Sequence, residues 1–220
     1  MAGRRKSAGG LLKHQPTELN KWAAGKLAAL FLFYLFQLPA LAVAQSSSPW
    51  TAGNYSFSDE LGGFRILGVS GTGSQGDPVF IKQVFDTARS GTLVIRSSQM
   101  QDAVKHSFSS TSNGTLYLRI ETINNTNLPW VGFGFELQEE LNKSSIYGDG
   151  LSFDQLSRRS EDVFSNRFRN YEDEFEPGDR LVFTEGVVNN QTTVETNFVI
   201  TDFTPVPIFY LYQDPLIPAS

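Results

Sequence analysis

Thr115-Leu-Tyr-Leu-Arg-Ile-Glu-Thr-Ile123 and Trp130-Val-Gly-Phe-Gly-Phe-Glu-Leu137 decide the fold class. In the first, Leu116, Leu118 and Ile120 fall on one side, with Tyr117, Arg119 and Glu121 on the other. A period of two is the mark of a strand buried on one face, because successive side chains of an extended chain point to opposite sides. In the second, Val131, Phe133, Phe135 and Leu137 share a face. Asn124-Asn-Thr-Asn-Leu-Pro129 between them carries the residue types of a turn, so the two segments are expected to form a hairpin.

Working outward, Phe64–Ser70, Thr92–Arg96, Arg180–Phe183, Thr193–Ile200 and Ile208–Tyr212 read as further strands. Arg180–Phe183 and Thr193–Ile200 are expected to pair through a turn at Gly186 and Asn189-Asn190 that needs positive φ. Pro205, Pro207, Pro215 and Pro218 are expected to bound the last strand. Asp77-Pro78 could cap a helix, with Gly91 beyond its end, but the β-branched and aromatic residues over 78–85 favour a strand. Gln99–Lys105 reads as a helical turn. The segment 138–179 reads as one long irregular loop region, in which the spacing of Phe164, Phe168 and Tyr171 would permit a short helix. Many short strands with frequent turn signals and no internal repeat predict an all-β fold, an antiparallel β-sandwich of jelly-roll or Ig-like type.

The 220 residues begin differently. Arg4, Arg5, Lys6, Lys13, Lys21 and Lys26 precede an uncharged run, Leu27 to Ala44, that ends in Ala42-Val43-Ala44. Basic region, apolar region and small-x-small site is the order of a secretory signal peptide over residues 1–44. An uncleaved membrane anchor is the alternative, although Gln37 and Pro39 interrupt the run. Residues 45–53 then read as a flexible lead and 54–220 as the domain. Export to the periplasm, cell surface or extracellular space is the expectation.

Taking six of 18 bases and one of 23 acids away with residues 1–44 leaves 12 against 22, a net charge of −10. That balance excludes a nucleic-acid surface and suits the attraction of divalent cations. The absence of Cys excludes disulfides, thiolate chemistry and cysteine-held metals.

Catalytic signals are thin. His106 is the only histidine beyond the leader, so a Ser-His-Asp triad would have to use it. Gly71-Thr-Gly-Ser-Gln-Gly76 matches a dinucleotide-binding spacing, but Asp77-Pro78 follows where a helix should open, so a glycine-rich turn is the better reading. Glu136, Glu139, Glu140, Glu172, Glu174 and Glu176 could supply paired carboxylates to a glycoside hydrolase. Trp50, Trp130, Tyr117, Tyr210 and Tyr212 could form a sugar-binding platform. Calcium is the leading cofactor candidate, with Asp149, Asp154 and Asp179 as ligands and Asp173 and Glu176 nearby, because calcium takes several hard oxygens from loops. Solvated acids, with no cofactor, are the default reading of the same residues. N-x-S/T sequons stand at Asn54, Asn113, Asn124, Asn142 and Asn190, as chance produces in a chain rich in these residues.

Ile123-Asn-Asn-Thr126 with Leu128-Pro-Trp130-Val-Gly-Phe133-Gly-Phe135 resembles the N-N-T-G-x-x-W-x-x-F segment of secreted bacterial β-sandwich proteins of the exosortase-sorted (PEP-CTERM) type. Tyr147-Gly-Asp-Gly-Leu-Ser-Phe153, Leu181–Val188, Phe198–Asp202 and Phe209–Pro215 extend the likeness over about 115–215. The chain lacks the Pro-Glu-Pro signal, membrane helix and basic tail that end those proteins, so sorting by their route is not expected. The resemblance implies an exported sandwich without enzymatic activity and assigns no site residues. The expected function is a non-catalytic binding or structural role at the bacterial envelope or extracellular matrix, with calcium dependence as an option, toward an extracellular ligand such as a glycan or matrix protein. The alternative is a carbohydrate-binding module or a glycoside hydrolase.

Overall fold

A computed structural model describes residues 49–98, 114–146, 148–153, 162–174 and 177–219. The described residues form an all-β fold built as two sheets. The first holds seven strands in the order β1 (Trp50–Ala52), β2 (Tyr55–Ser58), β5 (Gly91–Ser97), β13 (Ile208–Leu216), β7 (Gly132–Gln138), β11 (Arg180–Gly186) and β10 (Phe168–Glu174). The second runs β3 (Arg65–Ser70), β4 (Val79–Phe85), β6 (Thr115–Asn124), β12 (Thr193–Asp202) and β8 (Leu151–Phe153), and β9 (Phe164–Ser165) also pairs with β12. All these pairs are antiparallel except β4 with β6, which run parallel from Val79 beside Leu118 to Phe85 beside Asn124. β13 therefore sits at the centre of the first sheet and β12 inside the second.

Alternation places the core. Leu116, Leu118 and Ile120 are buried as their spacing requires, and the β4 segment is a strand, as its β-branched residues favoured. Aromatic rings then join the sheets. Phe85 of β4 meets Phe64, Trp130 and Phe133 at 5.4–5.9 Å. Phe135 of β7 meets Phe183 of β11 and Phe198 of β12, and Phe198 meets Phe153 of β8. Edge-on and tilted contacts suit the ring quadrupole, and each adds roughly 0.5–1.5 kcal/mol beyond area burial. One polar bridge crosses the same core. Gln83 of β4 donates to Gln213 of β13 at 2.6 Å and to Thr122 at 3.0 Å, and Gln213 donates back at 3.3 Å. Both glutamines are fully buried, so their mutual satisfaction fixes how the sheets register.

Several expectations are corrected. The segment 124–129 does not close a hairpin, because β6 lies in one sheet and β7 in the other. β11 and β12 are likewise in different sheets and do not pair. The two crossings instead run side by side and bond to each other. Asn124 N donates to Thr192 O, Gln191 N to Asn124 O, and Trp130 and Val188 exchange both backbone bonds. Positive φ falls at Glu185 and Gln191, flanking the glycine and asparagines that were expected to need it.

Val131 is exposed although its alternation matched Phe133, because β7 starts only at Gly132. Pro215 lies inside β13. β5 pairs no farther than Gln213, so the proline sits where one side of the strand is already free. Residues 50–52, assigned to the lead, are strand β1. The 138–179 region contains β8, β9 and β10, and Phe164, Phe168 and Tyr171 lie on strands rather than on a helix. The signal segment, the turn at 99–105 and His106 lie outside the described residues. The Gly71–Gly76 stretch is the turn between β3 and β4, with Gly71 and Gly73 at positive φ and Ser74 bridged to Asp77. A Cβ on Gly71 would fall on the Pro78 carbonyl.

Candidate functional site at the acidic end

Asp179 enters β11 from a point where three backbone segments are tied. Its N–H donates to Ser145 O at 3.0 Å, its carbonyl accepts from Leu137 N at 3.0 Å, and Ser145 N donates to Leu137 O at 2.8 Å. Gly178 makes this approach feasible, since a Cβ there would meet Ser144 Cβ at 2.7 Å. The knot leaves the Asp179 side chain with no exposed surface. Ser152 Oγ donates to Oδ1 at 2.9 Å, while Oδ2 and the neighbouring Ser145 Oγ, also buried, find no partner.

Burial pushes the Asp179 carboxyl up to about 7, helped by the charges of Asp149 and Asp173 and opposed by hydrogen bonding from the Ser152 hydroxyl and the Phe153 backbone. Asp202 is raised too, by burial first and then by Glu139 and Asp149, although the N–H groups of Val206 and Thr204 oppose this. Its charge in turn helps burial raise the Tyr55 phenol. Asp149 thus acts on both buried carboxyls, and Asp173, Asp179, Asp149, Asp202 and Glu139 share one end of the molecule.

Asp149 and Asp179, named from sequence, do come into one field. Asp154 lies outside the described residues. Asp149 has a local duty: its carboxylate accepts from Ile146 N at 2.9 Å and Leu151 N at 3.0 Å, closing a turn that Gly150 completes at positive φ. Among the described residues, no three acidic or imidazole side chains converge closely enough to hold a metal ion. Asp202 was missed because it reads as the end of a strand, and Ser145 and Ser152 because hydroxyls are common in loops. The Pro177-Gly178-Asp179 triplet was the available signal.

The other candidates disperse. Glu136 accepts from Gln138 and stands 3.7 Å from Arg180, and Glu140 pairs with Lys143. Glu172 and Glu174 sit exposed on edge strand β10, and Glu176 lies outside the described residues. Trp130 is fully buried, so it cannot belong to a platform. Tyr210 and Tyr212 share the outward face of β13, Tyr117 projects from the other sheet, and Trp50 is on β1.

No protein-family model matches the sequence. A search of curated proteins likewise finds no match.

The raised Asp179 carboxyl sets a pH dependence. Below about pH 4 folded and unfolded states both hold the proton and the group costs nothing. Between pH 4 and about 7 the unfolded chain releases it first, so stability falls as pH rises and then levels off. Asp179→Asn is expected to be more stable than the parent at pH 8, by about 2–4 kcal/mol, with the advantage gone at pH 4. Urea unfolding across that range checks it, and an advantage independent of pH would refute the assignment.

Proposed function

We propose that the chain is an exported, non-catalytic β-sandwich module with a binding or structural role at the bacterial envelope or extracellular matrix. Its acidic end is the part we assign to calcium. The observation that carries this reading is the Asp179 carboxyl, held in a rigid backbone knot with one buried oxygen unpartnered and under the charges of Asp149 and Asp173. A buried oxygen without a donor is satisfied by a proton, a water or a cation, and a hard divalent cation also relieves the mutual repulsion of the carboxylates. The leader segment and the resemblance to exosortase-sorted proteins support the exported setting. The local bonding of Glu136 and Glu140 favours this reading over a two-carboxylate hydrolase.

The test is thermal unfolding of the protein at pH 8 with 2 mM calcium, then with excess EDTA. Binding to the folded state alone raises stability by RT ln(1 + [L]/Kd). A rise of several degrees that vanishes in Asp179→Asn is the expected result. An unchanged melting temperature would end the calcium reading and leave these acids as a proton-satisfied end.

A further inference from the structure

A groove of about 550 Å³ lies at the β9–β10 corner, lined among others by Phe164, Asn166, Arg167, Arg169, Asn170 and Tyr171. It is built rather than incidental. Ser165 Oγ accepts from the N–H groups of Arg167 and Phe168, each at 3.3 Å, which holds the turn. Asn166 is pinned to β12: its N–H donates to Glu195 O at 3.2 Å and its Oδ1 accepts from Glu195 N at 2.9 Å. Only its amide donors remain. Arg167 is pinned as well, with Nε donating to Thr193 O at 3.0 Å, so its terminal nitrogens are oriented and unspent. Phe164 stands 48% exposed, and Tyr171 packs one face against Phe183 at 6.2 Å.

Charge singles this groove out. Arg65, Lys82, Arg96, Arg119, Lys143 and Arg180 each have a carboxylate within 4 Å. Among the described residues, Arg89, Arg167 and Arg169 have none; Arg89 stands on a surface bend, whereas Arg167 and Arg169 share a groove that no acid lines. In a domain rich in acids, two adjacent unpaired guanidinium groups with amide donors and exposed rings present donors without acceptors. That chemistry selects an anion with planar carboxylate geometry, since guanidinium forks match it. The rings add an apolar face of the kind that packs on a sugar ring.

We propose that this groove binds a carboxylate-bearing saccharide, with Arg167 and Arg169 receiving the carboxylate and Phe164 and Tyr171 flanking the sugar ring. The site is separate from the acidic end and does not depend on calcium, so it stands or falls independently of the cation reading.

Isothermal titration of the full chain in EDTA tests it, with tetragalacturonate, neutral cellotetraose and a short oligoglutamate as probes. Tetragalacturonate is expected to bind, more weakly as salt is raised, and the other two are not. Arg169→Gln is expected to weaken binding roughly tenfold or more. Phe164→Ser, at a largely exposed position, is expected to weaken it without changing the melting temperature. Absence of tetragalacturonate binding overturns the proposal, as does equal binding of cellotetraose. Equal binding of oligoglutamate would make the groove an acidic-peptide surface and overturn the saccharide assignment. Indifference to Arg169→Gln would place any binding elsewhere and overturn it too.

Discussion

Trp130→Ala is expected to cost about 3–5 kcal/mol, enough to consume much of the stability of an ordinary domain. The indole is fully buried where the two crossing segments meet the aromatic core. It touches Phe85 at 5.9 Å and Phe133 at 5.4 Å, and its Nε1–H donates to Thr126 Oγ1 at 3.2 Å. Alanine would leave a void between the sheets that surrounding backbone, tied by the Trp130–Val188 bond pair, cannot collapse to fill. Trp130→Phe keeps most of the volume and gives up the hydrogen bond, so it should lose far less. Denaturant unfolding of both variants decides the matter. A loss below about 1.5 kcal/mol for the alanine variant would show that the corner repacks, outside the range for such truncations.

The second large effect is expected at Asn124, where Asn124→Asp should cost about 3–5 kcal/mol at pH 7. This side chain is fully buried and uses both ends. Nδ2 donates to Leu128 O at 2.8 Å and Val188 O at 2.9 Å, while Oδ1 accepts from Thr126 N at 3.0 Å and Thr126 Oγ1 at 2.8 Å. Aspartate is nearly isosteric yet sets an anionic oxygen against two carbonyl oxygens. The defect should shrink as pH is lowered and the new carboxyl takes a proton, which can donate to one of them. A pH-independent loss would argue against this account. The same burial shows that Asn124, although it opens a sequon, is unavailable for modification in the folded chain.

These two residues also mark how far the sequence could be read. Asn124, Thr126 and Trp130 were singled out as a pattern, and that pattern was a real unit. Its role was not legible, because a turn between two strands looks the same whether it returns within a sheet or crosses to another. The choice depends on which distant strands compete for pairing, here β12 for β6 and β13 with β11 for β7. Strong alternation made β6 plain. β10 was invisible because its pattern is almost wholly exposed, so no apolar period betrays it. β8 and β9 are too short to show any period. For the acidic end, composition pointed to the right region, but it could not separate Asp149, which closes its own turn, from Asp179, which is buried. The Arg167–Arg169 groove was missed because two arginines are unremarkable until they are seen to share a groove that no acid lines.

The strand order carries a consequence for how such a chain comes into being. β12 and β13 follow the other described strands in sequence, and they occupy the interior of the two sheets. β5 and β7 have no common neighbour until Ile208–Leu216 arrives between them, and the Gln83–Gln213 bridge spans most of the domain's length. A growing chain can therefore close neither sheet early, and the high sequence separation of its contacts makes closure slow once it starts. Until Thr193–Leu216 docks, β5, β6 and β7 keep open edges, a template on which other strands can pair.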